Sequence, residues 1–242
     1  ISPYRYVGVN FNSQGNPNLK PSDHYNLDLK WDFNPTPTEL ISLTAFYKLI
    51  KNPISRIEVA SAGGYLSYEN IADKATVAGV EVEIRKNLFV RPVSNAAHGM
   101  NKLSLGLNGS YIYTNAKMPL ATVTTGSQLE GAAPWIVNFD LSHNFTKGER
   151  SFVNTLVLNY VSDKIYTIGT QGYQDIMEQG VLTLDFVSQA KLNKHLSFNL
   201  KARNLLNSSY KLSRKANENG EKVILNDYKK GINISLGVSC TF

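Results

Sequence analysis

The sequence predicts an all-β chain, a transmembrane antiparallel β-barrel, on three observations. A two-residue alternation of apolar and polar side chains recurs about nine times along the 242 residues. The alternating stretches are about ten residues long, enough to cross a bilayer at a tilt and longer than the roughly five or six residues usual in soluble sheets. The connectors alternate in length, so one rim carries tight turns and the other long loops. No run of about 18 apolar residues offers a transmembrane helix. The mean hydropathy of −0.23 fits a wall whose apolar lipid face averages with a polar lumen face.

The elements follow in chain order. "HYNLDLKWDF" sets Tyr25, Leu27, Leu29, Trp31 and Phe33 on one face, and Asn26, Asp28, Lys30 and Asp32 on the other. "LISLTAFYKL" aligns Ile41, Leu43, Ala45, Tyr47 and Leu49. "ATVAGVEVEIRKNL" opposes Ala78, Val80, Val82 and Ile84 to Gly79, Glu81, Glu83 and Arg85. "LSLGLNGSYIY" aligns Leu103, Leu105, Leu107, Gly109, Tyr111 and Tyr113, and "WIVNFDLSHNF" aligns Trp135, Val137, Phe139 and Leu141. "FVNTLVLNYV", "VLTLDFVSQAKL" and "LSFNLKARNLL" continue the pattern. The chain closes on "INISLGVSCTF", which puts Ile232, Ile234, Leu236, Val238, Cys240 and Phe242 together. "YRYVGV" at 4–9 is a candidate tenth strand, and "NGEKVILNDYKK" is a weak helical competitor, broken by Gly220 and its β-branched pair.

Short turns are expected at "NPTPTE", "TKGERS" and "NKH", and long loops at roughly 50–74, 115–133, 163–180 and 207–230. "FVRPVSNAAHGMNK" is longer than its rim predicts. With long loops outside and short turns inside, the first strand runs inward and the last ends inside, an odd count. Single-chain bacterial barrels have an even one. The whole chain, 1–242, therefore reads as the C-terminal portion, about nine or ten strands, of a larger barrel. It starts at Ile1 rather than Met, as a mature or internal segment does.

Aromatics mark the ends of the apolar faces, as two interfacial girdles require. Tyr25 and Phe33 bracket the first strand, and Trp135 and Phe145 the fifth. Tyr47, Tyr113 and Tyr160 sit near the long loops. Charges at mid-strand, among them Asp140, Asp185, Lys201 and Arg203, fall on the opposite face, which suits a wet lumen. External contacts are expected from the loops: Tyr166, Gln171 and Tyr173 in "YTIGTQGYQ", and Arg214 and Lys215 in "YKLSRKANENGEK".

The net charge of +6 is scattered without a block or helical stripe, so no nucleic-acid partner is expected. The single cysteine precludes an internal disulfide. His24, His98, His143 and His195 lack metal-ligand spacing. Glu81 and Glu83, two apart on one face, read as hydrated barrel wall rather than an acid–base pair. No catalytic residue, cofactor site or metal site is assigned, and the chain is not expected to be an enzyme.

Four stretches, in order, resemble TonB-dependent outer-membrane receptors. "GNPNLKPS" is similar to the family's Gly-Asn-Pro-x-Leu-x-Pro-Glu motif, with Ser22 where Glu is usual. "NIADKATVAGVEVEIRKNL" resembles its Asn…Ala…Gly-Val-Glu strand, and "GAAPWIVNFDLSH" its Pro-x-x-x-Asn-x-x-Leu strand. "ARNLLNSSYKL" resembles its Asn-Leu-Phe-Asp-x-x-Tyr segment, with Leu206 in place of Phe, and terminal Phe242 matches as well. The style is that of Bacteroidota members. The resemblance implies a 22-stranded barrel in the Gram-negative outer membrane with an N-terminal plug, which this chain lacks along with the first strands. It implies uptake of a scarce nutrient, such as a metal chelate, vitamin or glycan, driven through the TonB complex. It further implies contact with outer-membrane lipid and lipopolysaccharide. The barrel assembly machinery would read the closing strand (Ile232, Ile234, Leu236, Val238, Phe242), and a surface lipoprotein or other outer-membrane subunit is a further expected partner. Two rival functions keep the same barrel: a structural subunit of an assembly or secretion complex, and a passive porin. A plug and a TonB-contacting segment upstream distinguish uptake from both.

Overall fold

The computed structural model describes residues 5–7, 11–59, 65–93, 99–118, 128–216 and 220–241. Every regular element among them is a strand. In chain order these are β1 (Arg5–Val7), β2 (Asn12–Gln14), β3 (Asp23–Phe33), β4 (Leu40–Lys51), β5 (Ile54–Val59), β6 (Tyr65–Asn70), β7 (Lys74–Pro92) and β8 (Met100–Ala116). They continue as β9 (Trp135–Lys147), β10 (Arg150–Val161), β11 (Lys164–Thr167), β12 (Ile176–Glu178), β13 (Val181–Lys191) and β14 (Leu196–Arg203). The last three are β15 (Ser209–Lys215), β16 (Lys222–Lys229) and β17 (Asn233–Cys240).

Nine of these form one antiparallel sheet in the order β3-β4-β7-β8-β9-β10-β13-β14-β17, and they are the nine alternating stretches of the sequence. Register keeps the apolar sets on one face. One row runs Trp31, Leu43, Val82, Gly109, Val137, Tyr160, Leu182 across seven strands. Large apolar side chains stand exposed along this face, Leu29 at 75% and Leu236 at 81%. In water such a wall would be an aggregation surface; in a bilayer it is the lipid face of a barrel. The charged set, Asp28, Lys30, Glu81, Glu83, Arg85, Asp140, Asp185, Lys201 and Arg203, lies on the other face by the same register.

The long connector "FVRPVSNAAHGMNK" has a geometric cause. β4 begins at Leu40 opposite Arg85, but β7 runs on to Pro92, paired to Met100. The far end of the wall retreats in the same sense, since β8 reaches Ala116 while β9 starts at Trp135, opposite Tyr111. Both rims therefore step together across the sheet, the stagger that strands tilted to a barrel axis must have. Part of the expected connector is strand, with Leu88 left unpaired in a bulge. Residues 94–98, with His98, lie outside the described residues.

The inner rim carries the tight turns. β9 and β10 join through a two-residue hairpin, Lys147 opposite Arg150, whose Gly148 has φ +61°, a backbone region glycine enters without strain. At the next turn Asn193 Oδ1 accepts the His195 and Leu196 N–H groups. His195 is itself tied to Thr241, whose N–H donates to the His195 carbonyl at 2.8 Å.

Two expectations are corrected. Residues 5–7 are a strand, but they pair with β2 in a separate sheet and add nothing to the wall. The expected loops 50–74, 163–180 and 207–230 carry strands of their own: β5 and β6 in the first, β11 and β12 in the second, β15 and β16 in the third. The stretch whose helical competitor Gly220 and the β-branched pair argued against is no helix, as expected, but a strand, β16. β1, β2, β6 and β5 form one four-stranded sheet in that order, and β11, β12, β15 and β16 form another. Both sit on the long-loop rim.

Candidate functional site: the outer rim

The buried apolar core of the described residues lies on this rim and at the adjoining ends of β4, β7 and β8, because the rest of the wall gives one face to lipid and the other to the lumen. Ile50, Ile57, Ile71, Ala75, Ala116, Leu129, Ile165 and Ile168 cluster there. The two small sheets meet through a parallel bridge between Ile57 and Ile168, where the Glu58 N–H donates to the Ile168 carbonyl (3.1 Å) and the Ile168 N–H to the Arg56 carbonyl (3.0 Å). Loops that build their own core and share backbone bonds form a preorganised surface.

Polar side chains fasten this surface to the wall. In "GNPNLKPS", Asn16 Nδ2 donates to the Tyr68 carbonyl, the Lys20 N–H to Asn70 Oδ1, and Ser22 Oγ to the Asn52 carbonyl. Asn52 has φ +48°, a left-handed corner where asparagine is tolerated. In "ARNLLNSSYKL", Asn204 (φ +55°) takes the matching corner at the end of β14. Its N–H donates to Asp185 Oδ1 (2.8 Å) and its Nδ2 to the Gly231 carbonyl (2.8 Å). These motifs act as clasps between wall and rim.

Two arginines organise the centre. Arg56 donates its backbone N–H to Glu130 Oε2 (2.6 Å) and its guanidinium to Glu130 Oε1 (2.8 Å). Its guanidinium carbon also lies 3.9 Å from the Tyr166 ring centroid, a cation–π stack. Arg214 pairs with Glu58 and lies 5.4 Å from the Tyr173 ring centroid. The Glu58 carbonyl accepts Thr170 Oγ1 (2.5 Å).

Of the five loop residues expected to make external contacts, three serve the rim's own structure. Tyr166 is stacked under Arg56 and near Phe11, with ring centroids 6.3 Å apart. Arg214 is half-buried on Glu58, and Tyr173 borders it with an exposed ring. Gln171, at a turn with φ +53°, and Lys215 are exposed. The sequence reading missed Arg56, Glu58 and Glu130. Nothing local marks them, since their partners are remote in sequence.

On the wall, the candidate girdle residues Tyr25, Phe33, Tyr47, Tyr113, Trp135 and Tyr160 are exposed on the apolar face, and Trp135 packs on Tyr111 with ring centroids 4.6 Å apart. Phe145 meets Phe152 at 6.3 Å near the inner turn. One step toward the rim of long loops, His143 Nε2 bonds Asn101 Oδ1 (2.8 Å), and Ser188 Oγ donates to Asn154 Oδ1 (2.7 Å). Those four polar groups on the apolar face satisfy one another, as burial in an apolar medium requires. Ile234, Leu236 and Val238 stand exposed along β17, as does Ile232 just before it, and Phe242 lies outside the described residues. No group of three or more His, Cys, Asp or Glu among the described residues is arranged to hold a metal ion.

A staggered antiparallel wall with one apolar face, tight turns on one rim and a built surface on the other defines an outer-membrane β-barrel protein. The chain belongs to the TonB-dependent receptor-like β-barrel family, whose model matches residues 2–205. This is a family of outer-membrane receptors and transporters rather than of enzymes, and its members work with the TonB complex. No curated protein and no solved structure matches the chain.

Proposed function

We propose that this chain forms the C-terminal barrel portion of an active-transport receptor that captures a scarce nutrient at the outer rim and admits it with TonB-coupled energy. The observation that carries this reading is the built rim: two sheets joined at Ile57 and Ile168, held by the Arg56–Glu130 and Arg214–Glu58 pairs. A passive pore needs an open lumen and no such surface. A receptor needs a rigid one, because ordering loops at the moment of binding weakens affinity. The polar wall beneath, with Glu83, Arg85 and Asp140 beside one another, suits contact with a hydrated plug.

The test uses the full-length receptor in cells. Removing the TonB-contacting segment, or collapsing the proton gradient, should abolish nutrient-dependent growth while leaving the protein in the outer membrane. Growth that survives both treatments would point to the passive pore. Loss of other surface complexes, with no loss of growth on any nutrient, would point to the scaffold.

A further inference from the structure

A pocket of about 310 Å³ lies against the β11-β12-β15-β16 sheet, at the lower end of the size range for small-molecule sites. Its residues come together by register. Met177 pairs with Ser213, so both point to one face, and Lys215 lies two residues beyond Ser213 on that face. The fourth contributor depends on a bulge. Leu212 pairs with Asn226, but Ser213 pairs with Ile224, leaving Leu225 without a partner. Were the register unbroken, Val223 would stand opposite Lys215. The shift instead sets Lys222 directly opposite Lys215, and both line the pocket.

Both lysines are exposed, so their mutual repulsion is modest, but it favours an anion between them. Like charges directly opposite across a pair of strands destabilise it. Among the described residues Lys222 has one loose partner, Asp163 at 3.8 Å, and Lys215 has none. Two carboxylates also line the pocket: Asp163 Oδ1 accepts the Gly180 N–H (2.6 Å) while its Oδ2 faces Lys222, and Asp175 Oδ1 accepts the Gly169 N–H (2.8 Å). Beneath them Ser213 is 1% exposed, and its buried Oγ has no hydrogen-bond partner among the described residues. A buried hydroxyl left without a partner costs free energy that a ligand's acceptor would recover. Bulges beside binding sites commonly re-aim a side chain, and here the re-aimed side chain is a cation.

We propose that this pocket binds the anionic group, carboxylate or phosphate, of a small organic ligand. Lys215 and Lys222 supply the charge, Ser213 a hydrogen bond, and Met177 an apolar surface for the ligand body. Lysine recognises either anion as a point charge, so the residues fix the charge and not its source. The inference rests on the reading of the outer rim as the ligand-holding surface. It is measured at equilibrium without energy input, so failure of TonB-coupled uptake would leave it standing.

The experiment is calorimetric titration of the full-length receptor in detergent with glucuronate, glucose 6-phosphate and glucose at low salt. At least one of the two anions should bind and glucose should not; the better anion identifies the natural group. Lys215→Gln and Lys222→Gln should each weaken that binding about tenfold, as expected for loss of one charged hydrogen bond. Lys229→Gln, at the far end of the hairpin opposite Ser209, should not change it. Exchanging Lys222 and Val223 keeps the hairpin's charge but turns the cation to the other face, and should match Lys222→Gln. Heat-modifiable mobility verifies folding of each variant. Binding of neither anion above glucose, or full anion binding by the folded exchange variant, overturns the proposal.

Discussion

Arg56 and Glu130, 74 positions apart in the chain, meet through two hydrogen bonds, one from the backbone and one from the guanidinium. The pair is partly buried, with side-chain exposures of 24% and 19%. Removing one partner strands the other against the apolar cluster of Ile57 and Ile165. A fully buried pair broken this way costs about 3–5 kcal/mol, and partial exposure reduces that to about 1–3 kcal/mol. The loss is local, because the wall has its own ladder of strand pairs.

Glu130→Ala should therefore open the rim and leave the barrel intact. Hydrogen exchange of amides in 54–59 and 164–168 should rise about tenfold or more, with wall amides of β8 and β9 unchanged. Equal exchange in both regions, or none in either, would dissociate this pair from the rim's stability.

The orientation of the wall predicts an asymmetry between neighbours. Leu107 lies on the apolar face, paired with Ile84 and Phe139, and Asn108 lies on the polar face beside Asn138. Leu107→Arg should impair outer-membrane folding, since a lipid-facing arginine costs about 2–4 kcal/mol near the bilayer midplane. Asn108→Arg should be tolerated. The comparison is heat-modifiable mobility after refolding into lipid vesicles; similar folding by both variants would reverse the assignment of the faces.

The wall was legible because long strands with one apolar face repeat the same binary pattern many times, and an error in one stretch is corrected by the next. The rim was not. β2 and β12 are three residues each, too short to show a period, and β2 pairs in parallel with the remote β6. Such strands are set by long-range partners rather than by local propensity. The same holds for the pocket, whose geometry depends on one unpaired residue, Leu225, that no alternation marks. Tyr166 and Arg214 were visible as aromatic and basic loop residues, but their engagement with Arg56 and Glu58 was not.

Glu39 lends the inner rim a pH dependence. Beyond the start of β4, the Asn87 N–H beside the Leu88 bulge has no strand partner on that side, and Glu39 Oε1 accepts it at 3.0 Å. That backbone hydrogen bond chiefly holds the Glu39 carboxyl below its ordinary value, with Lys86 and Thr36 adding to the effect and desolvation opposing it. A depressed carboxylate contributes stability that is complete above the unfolded value, about 4.3, and is lost as pH falls through the folded one. Exchange at the Asn87 amide, corrected for its intrinsic rate, should rise as pH falls below the ordinary carboxylate range. Glu39→Gln should remove that dependence. A pH-independent corrected rate in the unaltered protein would rule out this capping role.

The closing strand supplies the last prediction. β17 pairs along its whole length with β14, from Arg203 opposite Asn233 to Leu196 opposite Cys240. Among the described residues its other edge has no strand partner. A regular edge of this kind offers backbone donors and acceptors to an added strand, and its alternate side chains fix the register. Ile232, Ile234, Leu236 and Val238 present such a set, and the sequence alternation carried past Cys240 puts position 242 on the same face. We propose that this series is the assembly signal of the barrel, with Phe242 its closing anchor at the inner membrane interface. Deleting Phe242, or inserting one serine between Thr241 and Phe242 to turn the ring to the opposite face, should slow outer-membrane insertion of the full-length protein. Neither change touches the outer rim, so ligand binding by the fraction that folds should be unaltered. The measurement is heat-modifiable mobility with surface protease resistance in cells. Normal insertion of both variants would show that the alternating apolar face of β17 serves lipid contact alone.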